Sequence, residues 1–436
     1  MSMLLKIVSL FSAGVFLFIT SSAQASLDIE TWQTSNGAKV LFVESPQLPM
    51  LDIEITFDAG SARDGEIFGL ANMTTSLMGT ATQKRSEDEV AQGFDELGAQ
   101  MGGSVSRDSS SLSLRTLTRP EIMQQALTLF GEVLTQPKFD KTIFEREMER
   151  LKIGLKQRSV QPQAISSDLL WKALYGEHPY AHSSTGTLET IQQLSTEKLN
   201  AFYKKHYVAN NASIAIVGDV TTSQAKEIAE NLTKNLAKGS KPAPLEKPKP
   251  VQKADIQKQF DSSQTYYSLA QIGVKRGEPD YIPLFVGNHL FGGSGFGSML
   301  MEEVREKRGL VYSVYSYFAP LKTNGPFIIG LSTKNASALK ADKVVKQTLA
   351  DFLDGFDDEK LQAIKENLVG GFPLRIDSNA KILGYISMIG FYDLPLDYLE
   401  WFPAEVEKVT KQQILDAWKT HLNLDQMVRV MVGKPQ

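Results

Sequence analysis

The chain contains no cysteine, only five histidines and no surplus of basic residues among its 436 positions. The absence of cysteine excludes disulfide bonds, thiolate metal sites, iron–sulfur clusters and cysteine nucleophiles. Lys and Arg number 46 against 50 Asp and Glu, and this balance does not favour binding to the phosphate backbone of a nucleic acid, so we expect no nucleic-acid partner. Any zinc chemistry would depend on histidine and carboxylate side chains.

Long apolar runs are scarce as well, and the one at the N-terminus has the features of an export signal. Lys6 precedes an apolar run over residues 7–19, and Ala23-Gln24-Ala25 has the small residues of a cleavage site. This pattern predicts a signal peptide over residues 1–25, cleavage after Ala25 and a periplasmic location. The run is short for a membrane span, although an uncleaved anchor is the alternative. We expect no membrane association after cleavage.

A stretch rich in proline and lysine divides the rest of the chain. Residues 238–253 read KGSKPAPLEKPKPVQK and contain four prolines. Such a stretch cannot continue a helix or a central strand, so it is typical of a linker. The sequence therefore predicts one domain over residues 26–237 and a second over residues 254–436.

The two predicted domains repeat each other. Residues 194–218 align with residues 409–433 at a constant offset of 215, and His206 then matches His421. Two further alignments have offsets of 217 and 213, between residues 139–141 and 356–358 and between residues 77–80 and 290–293. Three nearly equal offsets in the same order indicate an internal duplication.

Local patterns within the first half mix strands with helices. Alternating or continuous apolar residues predict strands over residues 40–44, 51–57, 104–117 and 213–217. A capping box at Ser86 and amphipathic periodicity predict helices over residues 87–97, 120–135 and 141–158. This order predicts an α+β fold, with two homologous α/β-sandwich domains in which helices cover an antiparallel-rich sheet. It does not match the regular alternation of a dinucleotide-binding fold.

Residues 69–80, GLANMTTSLMGT, resemble the signature helix of the pitrilysin/insulinase family of zinc peptidases, which includes mitochondrial processing peptidase. In that family the helix carries G-x-A-H-x-x-E-H. Its two histidines lie on one helical face and bind zinc, and its glutamate activates water. In this sequence Asn72 and Ser76 stand at the two histidine positions, and Thr75 stands at the glutamate position. The resemblance therefore implies a degenerate zinc motif.

The second helix of the family's zinc site is degenerate too. Residues 144–150, FEREMER, resemble the family's E-R-E run, and Glu147 matches a supporting acid, but the position of the liganding glutamate falls on Gly154. Amide and hydroxyl groups are poor zinc ligands beside imidazole and carboxylate. We therefore expect no metal and no other cofactor in this chain.

The five histidines do not suggest a replacement site. They are His178, His182, His206, His289 and His421. His178 and His182 lie four residues apart, but Pro179 disfavours a shared helical face, and this segment resembles the family's H-P-Y turn. His206 and His421 occupy matching repeat positions, which favours packing or capping. His289 stands alone opposite Ser76 in the repeat. We expect structural roles for all five.

The second half contains a different motif. Residues 291–298, FGGSGFGS, match neither a phosphate-binding loop nor G-x-G-x-x-G, so they indicate a tight turn. The following EVREKRGLVY resembles the family's C-terminal Arg/Tyr pair, here Arg305 and Tyr312. The resemblance implies that this pair holds the substrate backbone and stabilises charge on the scissile carbonyl, a task suited to guanidinium and phenol donors. The alternatives are a surface Arg305 with a core Tyr312, and Arg308 in the cationic role.

The resemblance covers almost the whole chain after residue 25 and implies half of a clamshell peptidase. It indicates a non-catalytic subunit of a heterodimeric zinc metallopeptidase, whose partner is an H-x-x-E-H homologue that carries the zinc. The substrate would be a peptide held in extended form against a sheet edge. One alternative is a peptide-binding or scaffold protein without peptidase activity. Another is an independent peptidase with unrecognised ligands, which the scarcity of histidine disfavours.

Overall fold

The computed structural model describes residues 27–436, so the predicted signal peptide lies outside the described residues. The described chain forms two β-sheets. The first contains β1 (Glu30–Gln33), β2 (Lys39–Glu44), β3 (Met50–Phe57), β4 (Gln100–Val105), β5 (Ser110–Leu117) and β6 (Ala212–Gly218). The second contains β7 (Ala254–Gln259), β8 (Gln264–Ile272), β9 (Val311–Phe318), β10 (Pro326–Lys334) and β11 (Val428–Gly433).

Helices accompany both sheets. In the first half they are α1 (Leu70–Met78), α2 (Glu87–Glu96), α3 (Pro120–Thr135), α4 (Lys141–Ser159), α5 (Pro162–Tyr175), α6 (Thr196–His206) and α7 (Thr222–Thr233). In the second half they are α8 (Tyr281–Asn288), α9 (Ala338–Asp354), α10 (Asp358–Gly370), α11 (Asn379–Tyr392), α12 (Tyr398–Lys408) and α13 (Lys411–His421). The predicted α+β class is confirmed.

The topology of the two sheets shows the duplication directly. The strand orders are β1-β2-β6-β3-β5-β4 and β7-β11-β8-β10-β9. In each sheet the last strand in the sequence pairs in parallel with an early strand, β6 with β2 in the first sheet and β11 with β7 in the second. The other pairs are antiparallel. The two sheets therefore share one five-strand plan, and β1 is an addition to the first.

One predicted strand is wrong. Residues 104–117 do not form a single strand, because the chain reverses between β4 and β5 at residues 106–109. The Ser106 hydroxyl accepts hydrogen bonds from the amides of Asp108 and Ser109 and so closes the turn. Serine and apolar residues alternate on both sides of the reversal, so the pattern alone does not reveal it.

The two halves exchange helices. α5 belongs to the first half in sequence, yet Leu170 and Leu174 pack with Ala270 and Val430 of the second sheet. α11 belongs to the second half but packs on the first sheet. It lies so close that a Cβ on Gly390 would be 2.5 Å from the Ser213 hydroxyl oxygen. Each helix buries apolar surface across the divide, at roughly 1.5–3 kcal/mol per fully buried leucine.

The predicted linker has neither helix nor strand over residues 238–253. The domain boundaries at residues 237 and 254 stay predictions, since the exchanged helices carry each hydrophobic core across them. Among the described residues, the structure contains no helix with the length and apolar character needed to cross a membrane.

A buried polar cluster joins the halves beside the exchanged helices. Asp108, in the β4–β5 turn, accepts hydrogen bonds from the hydroxyl groups of Tyr180 and Tyr392 and from the amide of Lys322 at 2.8 Å. The Lys322 ammonium group lies 2.8 Å from Asp58, which Arg63 also pairs through two hydrogen bonds. Burial raises the pKa of Asp108 despite these donors. Polar contacts therefore tie the first sheet to the second.

Candidate functional site

The degenerate zinc helix, α1, begins at a buried carboxylate. Gly69 precedes the helix in a left-handed conformation with φ of 98°. Asp64 accepts hydrogen bonds from the amides of Gly69 at 2.8 Å and Ala71 at 2.7 Å, which satisfies donors at the helix start. Burial outweighs these donors and raises the pKa of Asp64 to about 7. The start of α1 is thus set by local hydrogen bonds.

At the position of the missing glutamate, Thr75 belongs to a buried hydroxyl cluster. Its hydroxyl donates to the carbonyl of Ala71 at 2.9 Å and hydrogen bonds with Ser110 and Tyr207, each at 2.8 Å. Ser110 and Tyr207 are themselves 2.6 Å apart. Thr75 is buried, whereas Ser76 is exposed and Asn72 half-buried. Thr75, at the position of the glutamate, therefore contributes buried hydrogen bonds to the fold and is not accessible to water.

Replacing Thr75 with valine should lower the free energy of unfolding by ~1–2 kcal/mol, because Ser110 and Tyr207 lose a buried hydrogen-bond partner while the shape is kept. Urea denaturation would measure the change, with Ser76→Ala as the exposed control on the same helix. An effect of Thr75→Val no larger than that of Ser76→Ala would contradict the structural role of the cluster.

The fourth motif position also lacks zinc chemistry. Gly154 is exposed on α4, and a Cβ placed there would have no atom within 4 Å. Glu147, the supporting acid of the resemblance, forms ion pairs with Arg146 and Arg150 at 2.8 Å and 2.9 Å. Within residues 27–436 no group of three His, Cys, Asp or Glu side chains is placed to hold a metal ion. The residues at the motif positions do not fit zinc.

The histidines have structural surroundings. His182 stacks on Phe68 with ring centroids 3.8 Å apart, and burial lowers its pKa to about 4. His178 accepts a hydrogen bond from the Tyr180 amide and begins the turn that follows. His206 is buried, His421 lies 2.8 Å from Asp280, and His289 contacts the Phe285 ring and carbonyl.

The structure brings Arg305 and Tyr312 together. Arg305 lies in the π-helical segment Met301–Glu306, and Tyr312 lies on β9. The guanidinium carbon of Arg305 is 5.4 Å from the centroid of the Tyr312 ring. Tyr312 is 85% exposed, so its assignment as a core strand residue is wrong. The pair presents a cation and a phenol to solvent, and π-helical turns often occur at functional sites.

Phe296 completes this arrangement, and the sequence interpretation missed it. The centroid of its ring lies 4.5 Å from the Arg305 guanidinium carbon, and its side chain is 67% exposed. Phe296 precedes Arg305 in the chain, whereas Tyr312 follows it. The glycine-rich turn presents Phe296, since Gly295 has φ of 67°. We call Phe296, Arg305 and Tyr312 the Arg/Tyr cluster. An aromatic residue inside a glycine-rich run close to the Arg/Tyr motif was the available signal.

Arg308, the other candidate for the cationic role, is engaged elsewhere. Its guanidinium donates to the carbonyl and the carboxylate of Glu303, at 2.7 Å and 2.6 Å. Arg305 contacts aromatic faces instead, and a cation on an aromatic face keeps its N–H donors available at the ring edges. The geometry therefore favours Arg305 over Arg308.

The cluster includes a residue of the last strand of the second sheet. β9 is the last strand of the second sheet and pairs only with β10 among the described strands. Its outer side is largely covered, because Val314 and Ser316 are buried and the Ser316 carbonyl accepts a hydrogen bond from the Asn288 side chain at 3.0 Å. The degenerate motif lies on α1, which packs against β4 and β5 of the first sheet. The two motifs thus belong to different sheets.

Comparison with known proteins agrees with this description. Residues 39–188 match the insulinase family, peptidase family M16, and residues 193–368 match the peptidase M16 inactive domain. The structure superposes on that of a peptidase M16 inactive domain from Pseudomonas fluorescens with a TM-score of 0.91 and 40% identity. That comparison covers 94% of this chain and 98% of the other.

Two curated relatives extend the likeness to other bacteria. A protein from Helicobacter pylori, described as the non-peptidase homolog YmxG, is 27% identical and 96% of each chain is covered. A protein from Bacillus subtilis, described as the uncharacterized zinc protease YmxG, is 26% identical, with 81% of this chain and 86% of the relative covered. The resemblance read from the motifs is confirmed. This chain belongs to peptidase family M16, the insulinase family, as a non-catalytic member.

Proposed function

We propose that this chain is the non-catalytic subunit of a heterodimeric zinc metallopeptidase in the periplasm. Its partner is an M16 homologue with an intact H-x-x-E-H motif, and the metal belongs to that partner. This chain binds the peptide substrate and supplies Arg305 and Tyr312 to the shared site. Export by a signal peptide cleaved after Ala25 is part of the same proposal.

The observation that carries the proposal is the exposed Arg/Tyr cluster in a chain whose zinc motif is degenerate. Phe296 and Tyr312 are largely exposed, and aromatic and arginine side chains are enriched at binding interfaces. A guanidinium group and a phenol are both donors, and they suit an oxygen atom that becomes negatively charged. A peptide held in extended form against a sheet edge would pair through its backbone, with little demand on its sequence.

Reconstitution tests this proposal. The chain would be co-expressed with the H-x-x-E-H homologue encoded nearest to it, and each protein would also be purified alone. We expect a heterodimer in size-exclusion chromatography, zinc only in samples that contain the partner, and hydrolysis of a quenched fluorescent peptide chiefly by the pair. Stoichiometric zinc and peptidase activity in the isolated chain would reject the proposal.

A peptide-binding or scaffold role without peptidase activity is the second candidate. The description of the Helicobacter pylori relative as a non-peptidase homolog favours it. The reconstitution separates the two candidates, because a scaffold would leave the partner's hydrolysis rate unchanged on mixing. Co-purification from the native host would then identify the protein it holds.

A further inference from the structure

A cavity of about 310 Å³ lies where the two halves and the predicted linker meet. We call it the junction pocket. The first half contributes residues of β2, of β6 and of the segment after β3, and the second half contributes the end of α11 and the segments before α8 and β10. The predicted linker contributes Lys241, Pro242, Pro244 and Leu245. The pocket therefore involves both halves and the chain that connects them.

Positive charge is concentrated in the junction pocket. Its lining contains two carboxylates, Asp58 and Asp393, and five cationic side chains, which are Lys39, Arg63, Lys241, Arg276 and Lys322. The whole chain has more acidic than basic residues, so this excess of cations is local. Like charges that share a partly enclosed space repel one another, and a bound anion would relieve that repulsion.

Three of the five cations are paired with the two carboxylates. Asp58 accepts hydrogen bonds from Arg63 at 2.7 Å and 2.8 Å and from Lys322 at 2.8 Å. Burial raises the pKa of Asp58, but these two cations outweigh burial and hold the pKa below its ordinary value. Lys39 lies 2.8 Å from Asp393. Since one carboxylate serves both Arg63 and Lys322, one of their two positive charges is left unbalanced.

The other two cations, Arg276 and Lys241, form no ion pair among the described residues. The guanidinium carbon of Arg276 lies 5.7 Å and 5.3 Å from the ring centroids of Tyr281 and Tyr392. Its Nε is enclosed and has no hydrogen-bond partner in the part of the chain that the structure describes. Aromatic rings hold a guanidinium group by its face, so donors at its edge remain for a ligand. Lys241 is exposed on the predicted linker.

The charge and size of the pocket favour a small phosphate-bearing anion. Arginine matches the geometry of phosphate oxygens, and lysine binds phosphate as a point charge. A phosphate group carries more negative charge than a single carboxylate and so balances more of the cationic excess. The volume of about 310 Å³ is at the lower end of ligand pockets, which span about 300–1,000 Å³. A long polyanion would not fit inside it.

We propose that the junction pocket binds a small phosphate-bearing anion through Arg276 and Lys241, with Lys322 as a third cation. The anion connects the linker, through Lys241, to the second half, through Arg276. It stabilises the arrangement of the two halves, because it binds the folded junction and has no such site in the unfolded chain. This site uses none of the residues of the Arg/Tyr cluster and does not depend on a peptidase role.

Isothermal titration calorimetry of the purified chain tests the proposal, at low ionic strength because salt screens exposed charges. The probes are inorganic phosphate, pyrophosphate and glycerol 3-phosphate, which separate a free phosphate from an ester such as a lipid headgroup carries. We expect one saturable site, tighter binding of pyrophosphate than of phosphate, and a Tm that rises with pyrophosphate concentration. Tightest binding of glycerol 3-phosphate would support the site and identify an ester as its ligand. Tighter binding of citrate than of pyrophosphate would overturn the proposal in favour of a carboxylate ligand.

Variants assign the binding to the two unpaired cations. Arg276→Gln and Lys241→Gln each remove one charged donor and should weaken pyrophosphate binding by at least about tenfold. Lys340→Gln is the matched control and should leave the Kd unchanged, since Lys340 is exposed on α9 and does not line the pocket.

Lys241→Glu keeps the test decisive if Arg276→Gln fails to fold. Lys241 is exposed in a segment without helix or strand, so its replacement should leave folding intact while the added negative charge abolishes binding. Circular dichroism would show that the fold is kept. Absence of saturable binding to the native chain would overturn the proposal, as would equal affinities of Lys241→Glu and Lys340→Gln for pyrophosphate.

Discussion

Arg305→Ala should lower the turnover number of the reconstituted peptidase by roughly 100-fold, the usual effect of removing a donor to a developing oxyanion. The guanidinium group contacts two exposed aromatic rings and forms no ion pair among the described residues, so its N–H donors remain available to an oxygen of a bound peptide. Charge on the scissile oxygen grows in the transition state, so kcat should fall more than KM rises.

Two further variants separate the parts of this cluster. Tyr312→Phe removes one hydroxyl donor and should lower kcat by about tenfold. Arg308→Ala is the matched control, because Arg308 is already paired with Glu303 and touches neither aromatic ring of the cluster. It should leave kcat unchanged. Heterodimer content by size exclusion and zinc by metal analysis would show that assembly is intact. Equal turnover in Arg305→Ala and Arg308→Ala would remove Arg305 from the reaction.

Asp108→Ala should lower the free energy of unfolding by about 3–5 kcal/mol, because it leaves three hydrogen-bond donors without their acceptor, at about 1–3 kcal/mol for each buried group. The substitution leaves the hydroxyls of Tyr180 and Tyr392 and the amide of Lys322 without their acceptor. These donors come from both halves, so the loss weakens the junction that the exchanged helices form. Guanidinium denaturation followed by circular dichroism would measure the change.

Asp108→Asn and Asp261→Ala are the controls for this effect. Asn keeps one carbonyl acceptor, and since burial raises the pKa of Asp108, a neutral side chain there should cost less, about 1–2 kcal/mol. Asp261 forms an exposed ion pair with Lys434, and solvent screening means that its loss should leave the stability nearly unchanged. A cost of Asp108→Ala as small as that of Asp261→Ala would show that the cluster does not hold the halves together.

The pH dependence of the Asp108 contribution has a defined sign. A carboxyl group whose pKa is raised on folding binds a proton more readily in the folded chain than in the unfolded chain. Its stabilising contribution is therefore complete below the ordinary pKa of aspartate and is lost as pH rises through the folded value. The free energy of unfolding of the native chain should therefore exceed that of Asp108→Asn by more at low pH than at high pH. Denaturation of both proteins over a range of pH would measure this.

Local signals in the sequence were enough for much of the fold. The capping box at Ser86 starts α2 as predicted, because a hydroxyl and a glutamate three residues apart satisfy the helix start by themselves. The helices at 120–135 and near 141–158 follow from their apolar periodicity. The constant offset between residues 194–218 and 409–433 corresponds to α6 and β6 repeated as α13 and β11. The hairpin inside residues 104–117 was missed because its turn interrupts no pattern.

The sequence by itself determined the α+β class, the duplication and the family, since hydrophobic patterns, repeat spacing and motif residues can be recognised without coordinates. Only the tertiary structure decided which sheet α5 and α11 cover, and that Phe296 packs on Arg305 together with Tyr312. These features arise from contacts between residues far apart in the chain. Apolar burial is non-directional, so a helix with an apolar face can cover either sheet, and close packing of the whole chain selects one.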